Sequence, residues 1–557
     1  MAATVETGGI YMALPPGITQ RDFDRALKEF ERAVGAKWVF TADEDVALYR
    51  DAYSPFKGEP EERVASAAVA PYTVEEVQAV IRAANTYRIP IYPISTGRNL
   101  GYGGSAPNLS GSVVLDLKRM NRILEVSERN ASALVEPGVS YFDFYRYLQD
   151  HKLKVLMDCP DPGWGSLIGN ALDHGGGYTM TTFRNHFDAH CGMEVVLANG
   201  DLLRTGMGAL PGSKTWQHYK FGVGPWIDGL FSQSNFGVVT KMGFWLMPEP
   251  EAYLTGTVSV PKHQDLVPLV DILNYLENSG VVNGMPQLGS PLLGGFFSPI
   301  GTELRDLLAR GASTAELEDY ARRQGTGYWS CTVKFYGPRK SVQANWEYSQ
   351  EKFAAIPGAT FENGELFRFP LSAAEIEDIT RNQAGGSRGS TLPEFGIPSL
   401  TMFSIGARSE TNPNPTDGHM WFSPIIPRSG EAIFEANQVF AQAAKELELP
   451  INAVGFSLPS TYWNRGFIYL FGFPVSKDIE TNRRNRGKFE RLVKIAAEHG
   501  WGEYRTPPAY QDAVLDTYSF NDHALRRFHQ TLKDAVDPNG ILAAGRYGIW
   551  PKHLRKV

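Results

Sequence analysis

The densest group of potentially functional residues in this 557-residue chain is a glycine-rich loop near position 100. It runs Ser-Thr-Gly-Arg-Asn-Leu-Gly-Tyr-Gly-Gly-Ser from residue 95 to residue 105. Closely spaced glycines permit positive φ angles and let backbone amides approach an anion such as a pyrophosphate. The spacing fits neither a P-loop nor the GxGxxG motif. The loop therefore predicts either another kind of phosphate cradle or an ordinary turn between strands.

Other residues of catalytic types occur without a motif that fixes their role. A neutral imidazole such as that of His419 is a competent nucleophile, but a lone histidine is equally explained as a hydrogen-bonded core residue. Asp161, within Pro-Asp-Pro-Gly, is typical of a turn. His186, Asp188 and His190 alternate along the chain, yet no further ligand has a motif-level position, so we predict no metal site.

Composition excludes several classes of protein. Hydrophobic residues are 43% and charged residues 21% of the chain, close to the averages for globular proteins, and the length favours two or more domains. A net charge of −7 with interspersed signs gives no basic face for nucleic acid. Three scattered cysteines, no apolar run of membrane-spanning length and no secretory signal lead us to expect a soluble, cytoplasmic protein without a membrane partner.

The residue pattern indicates which elements position the loop. Thr73 and Glu76 form a capping-box pattern before an amphipathic helix that runs to Ala84. Strands are predicted over 89–94, 112–117 and 133–136, and the first of them leads directly into the loop. A second glycine-rich stretch covers 163–177, longer helical patterns follow at 266–276 and 432–447, and glycine and aromatic residues become frequent again after residue 500.

Several long segments resemble the vanillyl-alcohol oxidase family, which includes eugenol oxidase and 4-cresol dehydrogenase. The segment 93–107 is similar to the FAD-binding signature of that family. The likeness continues in order along nearly the whole chain, through segments 115–117, 135–138, 191–200, 203–208, 230–235, 501–506 and 536–540.

The resemblance implies an α+β architecture, the two-domain PCMH-type FAD-binding fold. Two α+β subdomains would bind FAD, and a cap built on a large antiparallel sheet would cover the flavin ring. We expect the FAD-binding domain over 1–255, the cap domain over 256–498, and a C-terminal return to the FAD-binding domain over 499–557.

The resemblance also implies cofactor contacts. His419 matches the position at which oxidases of the family bond the flavin 8α-carbon to an imidazole nitrogen, although the helper histidine of vanillyl-alcohol oxidase has no counterpart here. The other expected cofactor residues are Ser95, Thr96, Gly97, Arg98, Asn99, Gly101, Tyr102, Gly103, Gly169, Asn170 and Arg546.

The resemblance assigns catalytic roles to four residues. Tyr102, Tyr504 and Arg505 match the trio that binds the phenol as its phenolate, and two hydroxyls with a guanidinium converging on one oxygen would lower its pKa. Hydride would then pass from the benzylic carbon to flavin N5 and leave a para-quinone methide. Asp161 matches the aspartate that assists attack by water on that species.

The expected activity is oxidation of para-substituted phenols, such as vanillyl alcohol, eugenol or 4-alkylphenols, with O2 reduced to H2O2. Asp161 and His419 favour the oxidases, because the cresol enzymes carry Ser and a flavin-bonded Tyr at these places. The alternatives are a dehydrogenase that uses a cytochrome or another acceptor, a hydroxy-acid or aldonolactone dehydrogenase, and a non-catalytic flavin-binding protein. The resemblance also bears on assembly, because the loop over 211–226 is shorter than the insertion that joins dimers into octamers in vanillyl-alcohol oxidase, and we therefore expect a homodimer.

Overall fold

The computed structural model describes residues 13–51, 53–292, 302–384, 391–400, 419–449, 459–476 and 478–555. The α-helices within these ranges are α1 (Gln20–Val34), α2 (Asp43–Ala47), α3 (Val74–Tyr87), α4 (Tyr141–Asp150), α5 (Leu167–Leu172), α6 (Leu266–Asn278), α7 (Thr302–Ala309), α8 (Thr314–Arg323), α9 (Arg339–Phe353), α10 (Ala373–Ala384), α11 (Gly430–Glu446), α12 (Ile479–Glu498), α13 (Gln511–Thr517) and α14 (Phe520–Val536). The strands are β1 (Val39–Phe40), β2 (Ala67–Val69), β3 (Ile91–Ile94), β4 (Val113–Asp116), β5 (Ile123–Ser127), β6 (Ser132–Val135), β7 (Val155–Leu156), β8 (His190–Val196), β9 (Leu202–Arg204), β10 (Val238–Trp245), β11 (Met247–Pro248), β12 (Ala252–Val260), β13 (Gln287–Gly289), β14 (Trp329–Gly337), β15 (Thr360–Arg368), β16 (His419–Phe422), β17 (Ile425–Pro427), β18 (Gly466–Ile468) and β19 (Phe471–Pro474).

The first sheet positions the glycine-rich loop. Its strand order is β1-β2-β4-β3, with β2, β4 and β3 parallel and β1 antiparallel to β2. Helices α1 and α3 bury their apolar faces in one core with these strands. Strand β3 ends at Ile94, so the loop begins at the carboxyl end of a parallel strand, where ligands bind in α/β sheets.

Helix α3 begins as the sequence predicts, with one difference in its cap. The Thr73 hydroxyl accepts a hydrogen bond from the Glu76 amide at 3.2 Å. The Glu76 carboxylate, however, accepts from the amide of Tyr72 at 2.6 Å, one residue before the expected position. The first bond satisfies an amide of the first helical turn, and the second fixes the residue that precedes the cap.

A second sheet supports the opposite wall of the site. Its five strands are antiparallel in the order β5-β6-β10-β8-β9. Apolar residues of α4 and α5 share a core with β6, β8 and β10, and this core holds α5 in place. The loop that precedes α5 contains Asp161, and α5 itself carries Gly169 and Asn170.

The C-terminal segment returns to the first sheet. Ile91 of β3 forms a parallel bridge with Leu542. The Ile91 amide donates to the carbonyl of Ile541 at 2.6 Å, and the Ala543 amide donates to the carbonyl of Ile91 at 2.7 Å. Because this pairing extends the sheet beyond β3, it brings Arg546 towards the glycine-rich loop.

The predicted cap contains a third, antiparallel sheet of order β13-β14-β12-β15, in which β12, β14 and β15 are each nine residues long. Among the described residues, β16 pairs with β19 and β17 with β18 as separate two-stranded sheets. Helices α6, α9 and α11 share the core of this region. The helical patterns predicted at 266–276 and 432–447 are confirmed as α6 and α11.

The cysteines and the candidate metal ligands have structural partners. Cys159, Cys191 and Cys331 are buried and free of disulfides. His186 contacts Asp158 and His190 contacts Asp228, so the two histidines point to different partners. Within the described ranges, no group of three metal-ligating side chains was found, and no helix is long and apolar enough to span a membrane.

Candidate functional site

An open cleft of about 1200 Å³ lies between the glycine-rich loop, α5 and the C-terminal segment. The loop contributes one wall, and residues 233–239 contribute the wall beside β10. The predicted cofactor residues that line it are Ser95, Gly97, Arg98, Asn99, Tyr102, Gly169, Asn170 and Arg546. Glycines, hydroxyl-bearing residues and arginines therefore line one concave site, a composition that suits an anionic dinucleotide.

The glycine-rich loop has the geometry that the sequence predicts. Gly97, Gly101 and Gly103 have φ angles of 65°, 78° and 97°, a region that residues with a Cβ rarely adopt. A Cβ on Gly101 would lie 2.6 Å from Cδ1 of Trp421 and 2.9 Å from Nε2 of His419. Glycine at 101 is thus required both by its backbone angle and by the side chains packed against it.

Helix α5 approaches the same loop closely. A Cβ on Gly169 would collide with the hydroxyl of Ser95, so this glycine sets how near the helix can come. The neighbouring Asn170 is held by buried partners, since its Nδ2 lies 3.1 Å from the Tyr141 hydroxyl and 2.5 Å from Nδ1 of His186. His186 is fixed in turn by Asp158 at 2.6 Å.

His419 opens strand β16 and packs against the loop. Its side chain is buried, and neither ring nitrogen has a hydrogen-bond partner among the residues that the structure describes. Burial lowers the pKa of His419 to about 4, so the imidazole is neutral at physiological pH. The ring contacts Trp421 at 4.6 Å and Tyr53 at 5.9 Å between centroids. Unpaired nitrogens in a buried, neutral ring fit a covalent partner.

Tyr102, Tyr504 and Arg505 pack together beside the cleft, which Tyr102 and Arg505 line. The rings of Tyr102 and Tyr504 contact edge to face at 6.4 Å, and the Arg505 guanidinium lies 4.4 Å from the centre of the Tyr102 ring. Burial raises the pKa of both tyrosines, and the nearby guanidinium partly offsets this effect. Both phenols are therefore protonated donors beside a fixed positive charge.

The hydroxyls of the trio have protein partners in this structure. Tyr102 donates to the Ser423 hydroxyl at 3.1 Å, and Tyr504 donates to the carbonyl of His174 at 2.5 Å. Both oxygens retain lone pairs, so each can still accept a hydrogen bond from a ligand. Tyr504 lines a second cleft, described below, and does not line the first.

Asp173 connects the trio with the C-terminal segment. Its carboxylate lies 3.2 Å from Nε of Arg505 and 2.8 Å from NH2 of Arg546, and it accepts from the Tyr547 hydroxyl at 2.7 Å. Burial alone would raise the pKa of Asp173, but the two guanidinium groups and the hydroxyl lower it to about 2. Two guanidinium groups against one carboxylate leave one net positive charge here, which suits an anionic ligand.

Asp161 lies between two cleft-lining prolines, 160 and 162, and belongs to a chain of phenols. Tyr178 donates to its carboxylate at 2.5 Å, and Tyr462 donates to the Tyr178 hydroxyl at 2.7 Å. Burial raises the pKa of Asp161 to about 6, although the bond from Tyr178 acts in the opposite direction. This carboxyl is mostly ionised at neutral pH and can accept a proton.

A buried ion cluster holds the segment that carries Tyr462. Glu277 pairs with Arg184 at 2.6 Å and with Arg428. Arg184 also donates to the carbonyl of Tyr462 at 2.7 Å, and Arg428 donates to the carbonyl of Trp463. Trp463 contacts the Tyr504 ring at 5.4 Å. The cluster thus fixes two aromatic residues at the site.

The remaining predicted residues lie around the cleft without lining it. Thr96 is buried, and its hydroxyl has no partner among the described residues. Gly101 of the loop packs against His419, and Gly103 packs against Pro508. The segment 409–416 before His419 lies outside the described residues.

Sequence reasoning missed several residues that complete the site. They are Asp173, Tyr178, Ser423, Tyr462, Trp463 and Glu503. Two of them lie next to predicted site residues in the sequence, which could have pointed to them. Glu503 directly precedes Tyr504, and Asp173 follows Asn170 by three positions. Tyr178 and Tyr462 are 284 residues apart, and only the fold brings them together.

Comparisons with known proteins place this chain among proteins with an FAD binding domain. Residues 65–206 match the model of the FAD binding domain family. The flavoprotein subunit of 4-cresol dehydrogenase [hydroxylating] from Pseudomonas putida is 32% identical, covering 96% of this chain and 97% of its own. The 1'-carboxy-chondrochloren decarboxylase of Chondromyces crocatus is 36% identical over 95% and 98%. The structure of 4-ethylphenol oxidase from Gulosibacter chungangensis superposes with a TM-score of 0.78 and 32% identity, covering 98% and 100%.

Proposed function

The chain belongs to the vanillyl-alcohol oxidase and 4-cresol dehydrogenase family of FAD-dependent, phenol-oxidising oxidoreductases, and on that premise we propose that it oxidises para-substituted phenols and passes the electrons to O2. The observation that carries this proposal is the packing of Tyr102, Tyr504 and Arg505 against one another beside the cofactor cleft. Bound FAD would accept a hydride. Residues of the protein would bind and ionise the phenol and take a proton from water.

The residues around the first cleft fit FAD. The positive φ angles of the glycine loop expose amides to a pyrophosphate, and Arg98 and Arg546 line the same cleft. The neutral, unpaired imidazole of His419 supports an 8α-histidyl bond to the flavin. We assign cofactor binding to 1–255 and 499–557, and the cap to 256–498.

The phenol would bind as its phenolate. Arg505 carries a charge that burial does not remove, because Asp173 faces it on one side. The rings of Tyr102 and Tyr504 pack edge to face beside it, and each hydroxyl would turn from its protein partner to donate to the phenolate oxygen. Stabilising the anion raises electron density at the para position, so hydride can leave the benzylic carbon. The role of the trio is therefore to bind, orient and ionise the substrate.

Asp161 would act on the other end of the substrate. Its carboxylate, held by Tyr178, is mostly ionised at neutral pH and can orient a water molecule and take its proton. Attack of that water on the quinone methide gives a hydroxylated product. An aspartate at 161 and a histidine at 419 are the features that the resemblance associates with oxidases, which supports O2 as acceptor.

Turnover in air with measured H2O2 tests the proposal. Purified enzyme is supplied with vanillyl alcohol, eugenol, 4-ethylphenol and 4-cresol, and with a phenol whose para side chain carries a carboxylate, because one relative is a decarboxylase. We expect oxidised product and H2O2 in equal amounts from at least one substrate without a carboxylate. Turnover only with a dye or cytochrome would identify a dehydrogenase, and CO2 release from the last substrate alone would identify a decarboxylase.

The assembly is proposed to be a homodimer. The loop over 211–226, which the resemblance makes too short to join dimers into octamers, carries exposed apolar residues, among them Tyr219, Phe221 and Val223. Light scattering of the purified protein tests this proposal, and a stable octamer would overturn it.

A further inference from the structure

A buried hydroxyl connects the phenol site with a second cleft. Ser423 follows strand β16 and is completely buried. Its Oγ lies 3.1 Å from the Tyr102 hydroxyl on one side and 3.3 Å from Oε2 of Glu503 on the other. Its hydrogen can also reach the carbonyl of Arg505 at 2.9 Å. Ser423 is thus the middle member of a hydrogen-bonded chain from Tyr102 to Glu503.

Glu503 ends this chain at the wall of the second cleft. That cleft has about 1120 Å³ of space and is open to solvent. The backbone holds the carboxylate in place, since Ser423 donates its amide to Oε2 at 3.2 Å and Pro424 forms a bridge with Glu503. The carboxylate therefore faces the buried serine on one side and a solvent-filled space on the other.

The surroundings of Glu503 leave it without an ion-pair partner among the described residues. Burial raises the pKa of Glu503 to about 8, and the two hydrogen bonds from Ser423 offset this only in part. Titratable groups that face it or share its cleft are Tyr102, Tyr518, His174, His529, Tyr504, Tyr547 and Arg505. An unpaired carboxyl near the surface of a cleft is available to exchange protons with water.

We propose that Tyr102, Ser423 and Glu503 form a proton relay that carries the phenolic proton of the substrate out to the second cleft. This inference rests on the proposed function, because it requires the phenol oxygen to contact Tyr102. The directions of the hydrogen bonds allow it, since Tyr102 donates to Ser423 and the single hydroxyl proton of Ser423 can turn from the Arg505 carbonyl to Glu503.

The transfer balances in protons and involves no electrons. The phenol gives its proton to the Tyr102 oxygen while Tyr102 gives its own to Ser423 and Ser423 gives its own to the Glu503 carboxylate. The substrate becomes a phenolate, both hydroxyls are regenerated, and Glu503 becomes a carboxylic acid. Glu503 then loses its proton to water in the second cleft. Ser423 and Glu503 act through Tyr102 and do not touch the substrate.

The relay makes activity depend on the ionisation of both Glu503 and the phenol. Glu503 accepts a proton only as a carboxylate, so kcat/KM for a phenol with an ordinary pKa of about 10 rises as the pH passes through about 8. A phenol that carries electron-withdrawing ring substituents is already ionised at the assay pH. Such a substrate has no proton to release and bypasses the relay.

The experiment measures kcat/KM at pH values from about 6 to about 9 for two substrates. One is 4-ethylphenol, and the other is a ring-fluorinated 4-ethylphenol that is already ionised over this pH range. The enzymes are the wild type, Glu503→Gln and Ser423→Ala, each with its flavin content and melting temperature recorded. For 4-ethylphenol we expect both variants to lose about 100-fold and to lose the rise with pH. For the fluorinated substrate we expect all three enzymes to agree within about threefold.

Two results would overturn the relay. One is an equal loss with both phenols in folded, flavin-loaded variants, which would indicate a structural role. The other is an unchanged pH profile in Glu503→Gln. If the wild-type enzyme oxidises none of vanillyl alcohol, eugenol, 4-ethylphenol and 4-cresol, the proposed function itself is wrong and the relay falls with it.

Discussion

The carboxylate of Asp173 and the guanidinium of Arg505 form a buried ion pair, with Oδ2 and Nε 3.2 Å apart. The same carboxylate pairs with Arg546 of the C-terminal segment. One acidic residue thus ties the phenol site to the part of the chain that completes the first sheet.

Asp173→Asn should weaken the fold and the substrate site together. Its folded pKa of about 2 lies below the ordinary value of 3.8, so the stability it contributes is present above pH 4 and is lost as the pH falls towards 2. The shift corresponds to about 2 kcal/mol. Urea unfolding at several pH values should show this acid-dependent component in the wild type and not in the variant. An identical acid dependence in both proteins would contradict the assignment.

Gly101→Ala should abolish FAD binding while the chain still folds. The new methyl group would meet Trp421 and His419, at a φ of 78° that alanine rarely adopts. Gly212→Ala is a matched control, because Gly212 has a φ of 70° but nothing within 4 Å of the added carbon. The control isolates the cost of backbone strain, about 1 kcal/mol. Full flavin occupancy in Gly101→Ala would show that the loop is not packed as described.

His419→Ala should yield an enzyme that releases its flavin on denaturation. In the wild type, the flavin should remain on the precipitated protein and map to the peptide containing His419, because both imidazole nitrogens are otherwise unpaired. His151→Ala, on an exposed histidine at the end of α4, should behave as the wild type. Flavin retained in His419→Ala, or released from the wild type, would rule out the bond.

Tyr178→Phe should move the pH dependence of water addition upwards. Asp161 must be ionised to take a proton, so hydroxylated product should increase as the pH rises through about 6. Removing the Tyr178 hydroxyl removes a donor that lowers the pKa of Asp161, so the midpoint should rise. The ratio of hydroxylated to dehydrogenated product from 4-ethylphenol, followed against pH, measures this. A midpoint that stays in place, or falls, would remove Asp161 from this role.

Glu277→Gln should destabilise the protein by about 3 kcal/mol, because it leaves two buried guanidinium groups without their counter-charge. Glu316→Gln is the control, since that carboxylate pairs with Arg310 at the surface and its loss should cost far less stability. Urea unfolding measures both. Equal effects would mean that the Glu277 cluster does not stabilise the fold.

Local sequence patterns predicted the elements that short-range physics determines. The cap at Thr73, the strand that ends at Ile94 and the glycine-rich loop after it follow from spacing and backbone freedom alone. The family resemblance supplied His419, Asp161 and the trio around Arg505. Neither predicted the contact of Tyr178 with Tyr462 or the position of Ser423 between Tyr102 and Glu503, because these contacts depend on how distant segments pack.

Anaerobic mixing of the flavin-loaded enzyme with 4-ethylphenol would show whether the phenol reduces the flavin. We expect the visible flavin absorbance to bleach within one turnover, and Arg505→Lys to slow this step at least about 100-fold because lysine cannot reproduce the planar guanidinium. Arg122→Lys, at a half-exposed arginine outside the cleft, should leave it unchanged. A flavin that stays oxidised with every para-substituted phenol, or bleaches equally fast in Arg505→Lys, would contradict the assignment of the phenolate site.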